Sequence, residues 1–261
     1  MILTLNFKLS DLCSKYLPTV LLASLSLPCH PAAIHDAVKV GNLDEVVALL
    51  DAGADINESD YFVGGPLFIA AGRPDTEVVR VLLERGADPD LVGESGDNTP
   101  LHQAAIAGIN DNIELLIKAS ANMENLNARG DSALHLASAD GNLSAMKLLM
   151  NAGADIDAVN DVNQTTPIQA ATLNGQIEAV RYLVTNGAGL DVKDAQGRGL
   201  LHNAAVSYSY TAVGDASLVT YLFENGAPYV NEALEWALEH KGHTADDSTL
   251  IIEELKRLSK L

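Results

Sequence analysis

Apolar residues along this chain fall into paired helical stretches, and the pairs recur. One stretch of each pair is short and rich in alanine. In Leu101-His102-Gln103-Ala104-Ala105 the apolar set Leu101, Ala104 and Ala105 sits at i, i+3 and i+4, one face of a helix. The second stretch carries larger aliphatic side chains, as in Val46-Val47-Ala48-Leu49-Leu50, Val78-Val79-Arg80-Val81-Leu82-Leu83 and Ala145-Met146-Lys147-Leu148-Leu149-Met150. Polar segments rich in Gly, Asp and Asn separate one pair from the next. The Leu or Ile of the short stretch falls at 34, 67, 101, 134, 168 and 201, so the step is 33 or 34 residues. A fixed period of this size predicts a stack of helix–turn–helix units, because each unit must bury its apolar face on its neighbours.

Start and stop signals run in phase with that period. Thr99 can cap the short helix and Pro100 suits its first position. Gly53, Gly86, Gly153, Gly187 and Gly226 fall just past the longer helices, where a left-handed residue ends a helix at low cost. Ser120 stands in that slot in the third unit and predicts a strained or altered helix end. The Asp and Asn residues that follow open an extended, finger-like turn to the next unit. Two copies depart from the pattern in the slot of His102: the second unit has Phe68 and the fifth has Gln169. The second unit also replaces the usual Gly turn with Arg73-Pro74-Asp75. The sixth has 14 steps between Ala205 and Val219, against 8 between Val38 and Val46 in the first, and so predicts an enlarged loop around Ser207–Asp215.

Thr99-Pro100-Leu101-His102-Gln103-Ala104-Ala105, echoed five times and paired with Gly-Ala-Asp at the same period, resembles the ankyrin repeat over roughly residues 32 to 261. The resemblance implies an all-α ankyrin-repeat solenoid of helix–turn–helix units with hairpin-like loops. The units run at about 33–60, 61–96, 97–129, 130–162, 163–196 and 197–230, and a degenerate capping unit at 231–261 closes the stack. It also implies a non-enzymatic scaffold, without cofactor, that binds a partner protein through its finger tips and the adjoining inner-helix face. A structural, stabilising subunit without a dedicated recognition site is the alternative.

Composition narrows the partner. The formal net charge is −19 and the isoelectric point near 4.5. Nucleic acid needs clustered Lys and Arg, so it is excluded as the partner class, as is an anionic membrane surface. Cys13 and Cys29 both precede the repeats, so no disulfide framework holds the array. A monomer is expected.

Residues 1–32 do not fit the repeat. Lys8 and Lys15 precede an uncharged run from Tyr16 to Pro28 that is too short to span a bilayer and suits a signal-peptide core. In this the chain resembles short exported bacterial ankyrin proteins. Two other readings stay open: an apolar helix over the first unit, and an uncleaved anchor. A signal peptide implies a periplasmic or secreted protein; otherwise the protein is cytoplasmic, and only an uncleaved leader would bring it to a membrane.

No catalytic or metal set emerges. His35, His102, His135 and His202 share one slot in their units, and packed helices lie about 8–10 Å apart, so these rings cannot converge on one ion. They read as buried, turn-stabilising hydrogen-bonding groups. Asp88-Pro89-Asp90 and Asp155-Ile156-Asp157 lack the rest of a calcium loop. Candidate partner-binding residues lie at finger tips: the adjacent aromatics Tyr61 and Phe62, then Arg129 and Asn160. Tyr208 and Tyr210, in the loop peculiar to the sixth unit, complete the set.

Overall fold

The computed structural model describes residues 33–59, 64–93, 96–206, 216–239 and 248–261. Among these residues it contains fourteen α-helices and no strand, and the helices form seven pairs. The inner helices are α1 (Ala33–Val40), α3 (Pro66–Ala71), α5 (Pro100–Ala107), α7 (Ala133–Ala139), α9 (Pro167–Leu173), α11 (Leu200–Val206) and α13 (Val230–Glu239). The outer helices are α2 (Leu43–Asp51), α4 (Thr76–Glu84), α6 (Asn110–Lys118), α8 (Leu143–Asn151), α10 (Ile177–Thr185), α12 (Ala216–Glu224) and α14 (Ser248–Leu258). Every extensive helix contact lies within a pair or between consecutive pairs, as a stacked array requires. The chain is thus the all-α solenoid that the period predicts.

The apolar stripes explain the packing. Leu101, Ala104 and Ala105 are at most 1% exposed, and Ala37, Ala71, Ala137, Ala171 and Ala204 repeat that burial on the other inner helices. Small side chains there let consecutive inner helices approach closely. Outer helices contribute Val46, Val79, Ile113, Met146, Val180 and Val219, each fully buried at the same position of its unit. One position earlier, units two to six bury Val78, Asn112, Ala145, Ala179 and Leu218, whereas Glu45 of the first unit is exposed.

Helix ends follow the predicted signals. Gly53, Gly86, Gly153, Gly187 and Gly226 all adopt φ between 89° and 102°, and Ser120 adopts φ 64° in the same role. The predicted strain at Ser120 is therefore a non-glycine residue held in the left-handed region. The Arg73-Pro74-Asp75 turn has its own solution. In the third unit Gly108 donates its N–H to the carbonyl of Ala105. Pro74 occupies the matching slot and has no N–H to give to Ala71. Asn112 of α6 supplies the missing donor: its Nδ2 lies 3.1 Å from Ala71 O and 2.7 Å from Arg73 O.

The last unit differs from the others. Only three residues separate Gly226 from α13, against twelve between Gly187 and α11, so no finger precedes the seventh pair. Tyr229 fills the place with φ 73°. In α14, Ile251, Ile252, Leu255 and Leu258 are buried, while Leu250 is 58% exposed. Glu254 ties α14 to α12: it accepts hydrogen bonds from the Arg257 guanidinium and the Thr220 hydroxyl, which hold its carboxyl down to about 2.

Candidate protein-binding face

The fingers are rigid because each is pinned at its root. His102 accepts at Nδ1 from the Thr99 N–H, 3.1 Å away, and donates from Nε2 to Asp131 O at 2.9 Å. A carbonyl can only accept, so Nε2 carries the proton and Nδ1 is bare. His135 repeats the arrangement with the Ser132 N–H at 3.2 Å and Thr165 O at 3.0 Å. Gln169 reproduces it without a ring: Oε1 accepts from the Thr166 N–H at 3.1 Å and Nε2 donates to Arg198 O at 3.3 Å. His35 donates in the same way to Glu58 O. Each bond joins one inner helix to the base of the finger that leads to the next. Burial pushes His102 and His135 below the ordinary histidine value, so the neutral ring that this bonding needs is the favoured form; His202 is lowered by burial too, but its Nδ1 is buried without a hydrogen-bond partner. Phe68 cannot make these bonds. Its ring instead lies against Gly64 and Gly93; a Cβ at Gly64 would come within 2.7 Å of it, and one at Gly93 within 3.0 Å.

The tips are held by a second set of side chains. Asn127 accepts at Oδ1 from the N–H groups of Arg129 and Asp131, and donates from Nδ2 to Asn98 of the preceding finger at 2.8 Å. Asn160 accepts from the N–H groups of Val162 and Asn163 and donates to Arg129 O at 2.8 Å and Asp131 Oδ1 at 2.6 Å. Asp194 replaces the amide with a carboxylate. Its side chain has no exposed surface, accepts from the N–H groups of Gln196 and Arg198, and pairs with the Arg198 guanidinium at 2.7 Å. Backbone bonds from Ala128 N to Gly96 O and from Ala195 N to Asn163 O link neighbouring tips directly.

A third row runs along the bases of the fingers. Asn57, Asp90, Glu124 and Asp157 each accept, at 2.8 to 3.1 Å, the N–H of a residue one unit on: Asp88, Asn122, Asp155 and Gly189. Asp191 closes the row by accepting from the Tyr229 hydroxyl. Lys193 lies 3.8 Å from the centre of the Tyr229 ring and 3.0 Å from Glu232, so this cation is engaged at the end of the row. The contact with Glu232 raises the Lys193 pKa, and the hydrogen bond to Asp191 raises that of Tyr229.

Of the sequence-derived partner-binding residues, Arg129 is exposed at a tip and Asn160 is fully buried within the tip network. The two are adjacent, joined through the Arg129 carbonyl. Tyr61, Phe62, Tyr208 and Tyr210 lie outside the described residues, as do residues 1–32. Sequence reasoning missed the row at 57, 90, 124, 157 and 191. Its signal was present as a polar residue four places after each left-handed helix end at Gly53, Gly86, Ser120, Gly153 and Gly187. At the start of the fourth finger, a depression of about 400 Å³ between α8 and α10 is lined by Met150, Asn151, Ala154, Asp155, Ile156, Tyr182 and Asn186, with Asp155 its one carboxylate. Among the described residues no group of three or more His, Cys, Asp or Glu side chains could hold a metal ion.

Comparison with known proteins agrees with this architecture. A family model described as "Ankyrin repeats (3 copies)" matches in four overlapping registers, at residues 34–128, 67–160, 109–194 and 134–233. The chain belongs to the ankyrin-repeat family. It is 31% identical over 172 residues to a transient receptor potential cation channel subfamily A member 1 homolog of Caenorhabditis elegans, covering 66% of this chain and 14% of that protein. It is 28% identical over 197 residues to ankyrin repeat and SOCS box protein 16 of Homo sapiens, covering 67% of this chain and 43% of that protein. It is 32% identical over 170 residues to the nuclear factor NF-kappa-B p105 subunit of Gallus gallus, covering 64% of this chain and 17% of that protein. The chain thus spans less than half the length of each of these relatives, and its likeness to them is a likeness of repeats. All three are animal proteins, and the resemblance to short exported bacterial proteins is not borne out.

Proposed function

We propose that this chain is a non-enzymatic scaffold that binds a partner protein through its finger tips and inner-helix face. The observation that supports this most is the pinned row of fingers. Buried Asn127, Asn160 and Asp194 fix the backbone at each tip, while Arg129, Val159 and Val162 project from it exposed. A face held rigid by buried polar groups meets a partner with little ordering cost, which favours affinity. Tyr61 and Phe62 at the first finger, and Tyr208 and Tyr210 beyond α11, belong to the same proposal as aromatic anchors. Asn160 serves it by holding the turn that presents Arg129. Export through cleavage within residues 1–32 is a separate part of the proposal, and the intact mass of the protein from its native cells decides it.

The test is proximity labelling in native cells with the parent chain, a finger variant (Arg129→Glu with Tyr61→Ala and Phe62→Ala) and an outer-helix control (Lys147→Glu). All three should melt at similar temperatures. A partner labelled by the parent and the control but lost from the finger variant supports the reading. A partner retained by the finger variant and lost from the control overturns it.

A further inference from the structure

We infer that the partner segment seated on this face is basic and apolar at once, with hydrophobic side chains recurring about every 10 Å and Lys or Arg beside them. This inference rests on the scaffold reading above and adds the chemistry of the partner.

Successive side chains of an extended segment point to opposite sides, so residues two apart share a side. In the fingers of units two to four, Leu91, Asn125 and Ala158 turn inward and are partly or fully buried. Their neighbours on either side form two columns on the outward side. One column is acidic: Asp90, Glu124 and Asp157, continued by Asp191. Each of the first three uses one carboxylate oxygen on an N–H of the following unit. The other column is apolar: Val92, Leu126 and Val159 are 40%, 36% and 50% exposed. The fourth place in that column is Lys193, already engaged by Glu232 and Tyr229.

Isolated exposed aliphatics mean little. These recur at one position in three consecutive fingers, and Val162 adds a fourth exposed side chain at the tip of the third, 64% exposed. The rows are one unit apart, and stacked helices lie about 8–10 Å apart. A helix repeats a face about every 10.5 Å at i, i+7, and a polyproline II segment about every 9 Å at i, i+3, so either can place a hydrophobic side chain in every row. Charge sets the remaining requirement. Asp97 and Asp161 add exposed carboxylates at the tips, and the molecule carries −19 overall, so an acidic segment would be repelled and a basic one drawn in.

The test is selection of displayed random peptides of about 16 residues, long enough to cross three rows as a helix. The targets are the full chain and two triple variants. One reverses the apolar column (Val92→Asp, Leu126→Asp, Val159→Asp). The other neutralises the acidic column while keeping its hydrogen-bond acceptors (Asp90→Asn, Glu124→Gln, Asp157→Asn). Enriched peptides should carry net positive charge with hydrophobic residues at i, i+3 or i, i+7. They should bind the neutralised variant about tenfold more weakly, as three exposed charge pairs allow, and should lose binding to the reversed variant. Peptides that are neutral or acidic, or that bind the neutralised variant as well as the parent at low salt, overturn this inference. If such peptides still fail on the reversed variant, the scaffold reading stands without it. Peptides indifferent to both variants, or no enrichment at all, count against both.

Discussion

At the scale of single residues, the array is held by neutral side chains where charge would break it. His102 and His135 accept a backbone N–H at Nδ1, so protonating that nitrogen would set donor against donor. Burial lowers both below the ordinary value of 6.5. The unfolded chain therefore takes up the proton first. Their contribution to stability is complete above about pH 6.5, falls as pH drops below it, and levels off once pH lies below the folded-state values. Each such ring steepens the loss by at most about 1.4 kcal/mol per pH unit. Because Gln169 makes the same two bonds without a titrating group, His102→Gln with His135→Gln should flatten the acid limb. Urea midpoints measured between pH ~7.5 and pH ~5 check this against the parent; equal slopes would show that the rings do not control acid stability. Ser120 offers a simpler case. Its φ of 64° is one that glycine adopts freely, so Ser120→Gly should raise stability by about 0.5–1 kcal/mol in the same assay.

At the scale of elements, most departures from the repeat turn out to be paired with a compensation. Pro74 removes a donor from the end of α3, and Asn112, 38 residues later, returns one from α6. Asn112→Ala leaves the Ala71 carbonyl buried without that partner and should cost about 1–3 kcal/mol. Asn112→Asp should cost more, since a carboxylate would face carbonyl oxygens. Adding Pro74→Gly to Asn112→Ala should recover part of the loss; urea unfolding of the three variants decides, and an Asn112→Ala chain as stable as the parent would remove the pairing. Phe68 shows the same economy, with Gly64 and Gly93 leaving room for a ring where other units hold His or Gln. These pairings explain what could be read from the chain and what could not. The period, the helix pairs, the alanine stripes and the left-handed slot at Ser120 all follow from local residue type. Asn112 did not announce itself, because its partner carbonyls lie a whole unit away. The acidic row at the finger bases was equally hidden: aspartates in a turn look alike whether they face solvent or an N–H of the next unit.

At the scale of the molecule, the stack places one continuous face of fingers on a frame of nearest-neighbour contacts. Lys193, Tyr229 and Glu232 end that face where the last unit has no finger of its own. The central claim is that a partner meets this face rather than the outer helices. Hydrogen exchange of the chain, alone and with its captured partner, tests that claim most directly. The account predicts slowed exchange across the fingers at 88–98, 122–131 and 155–165, with α8 and α10 unchanged. Slowed exchange confined to α8 and α10, with fingers exchanging as in the free chain, would contradict it.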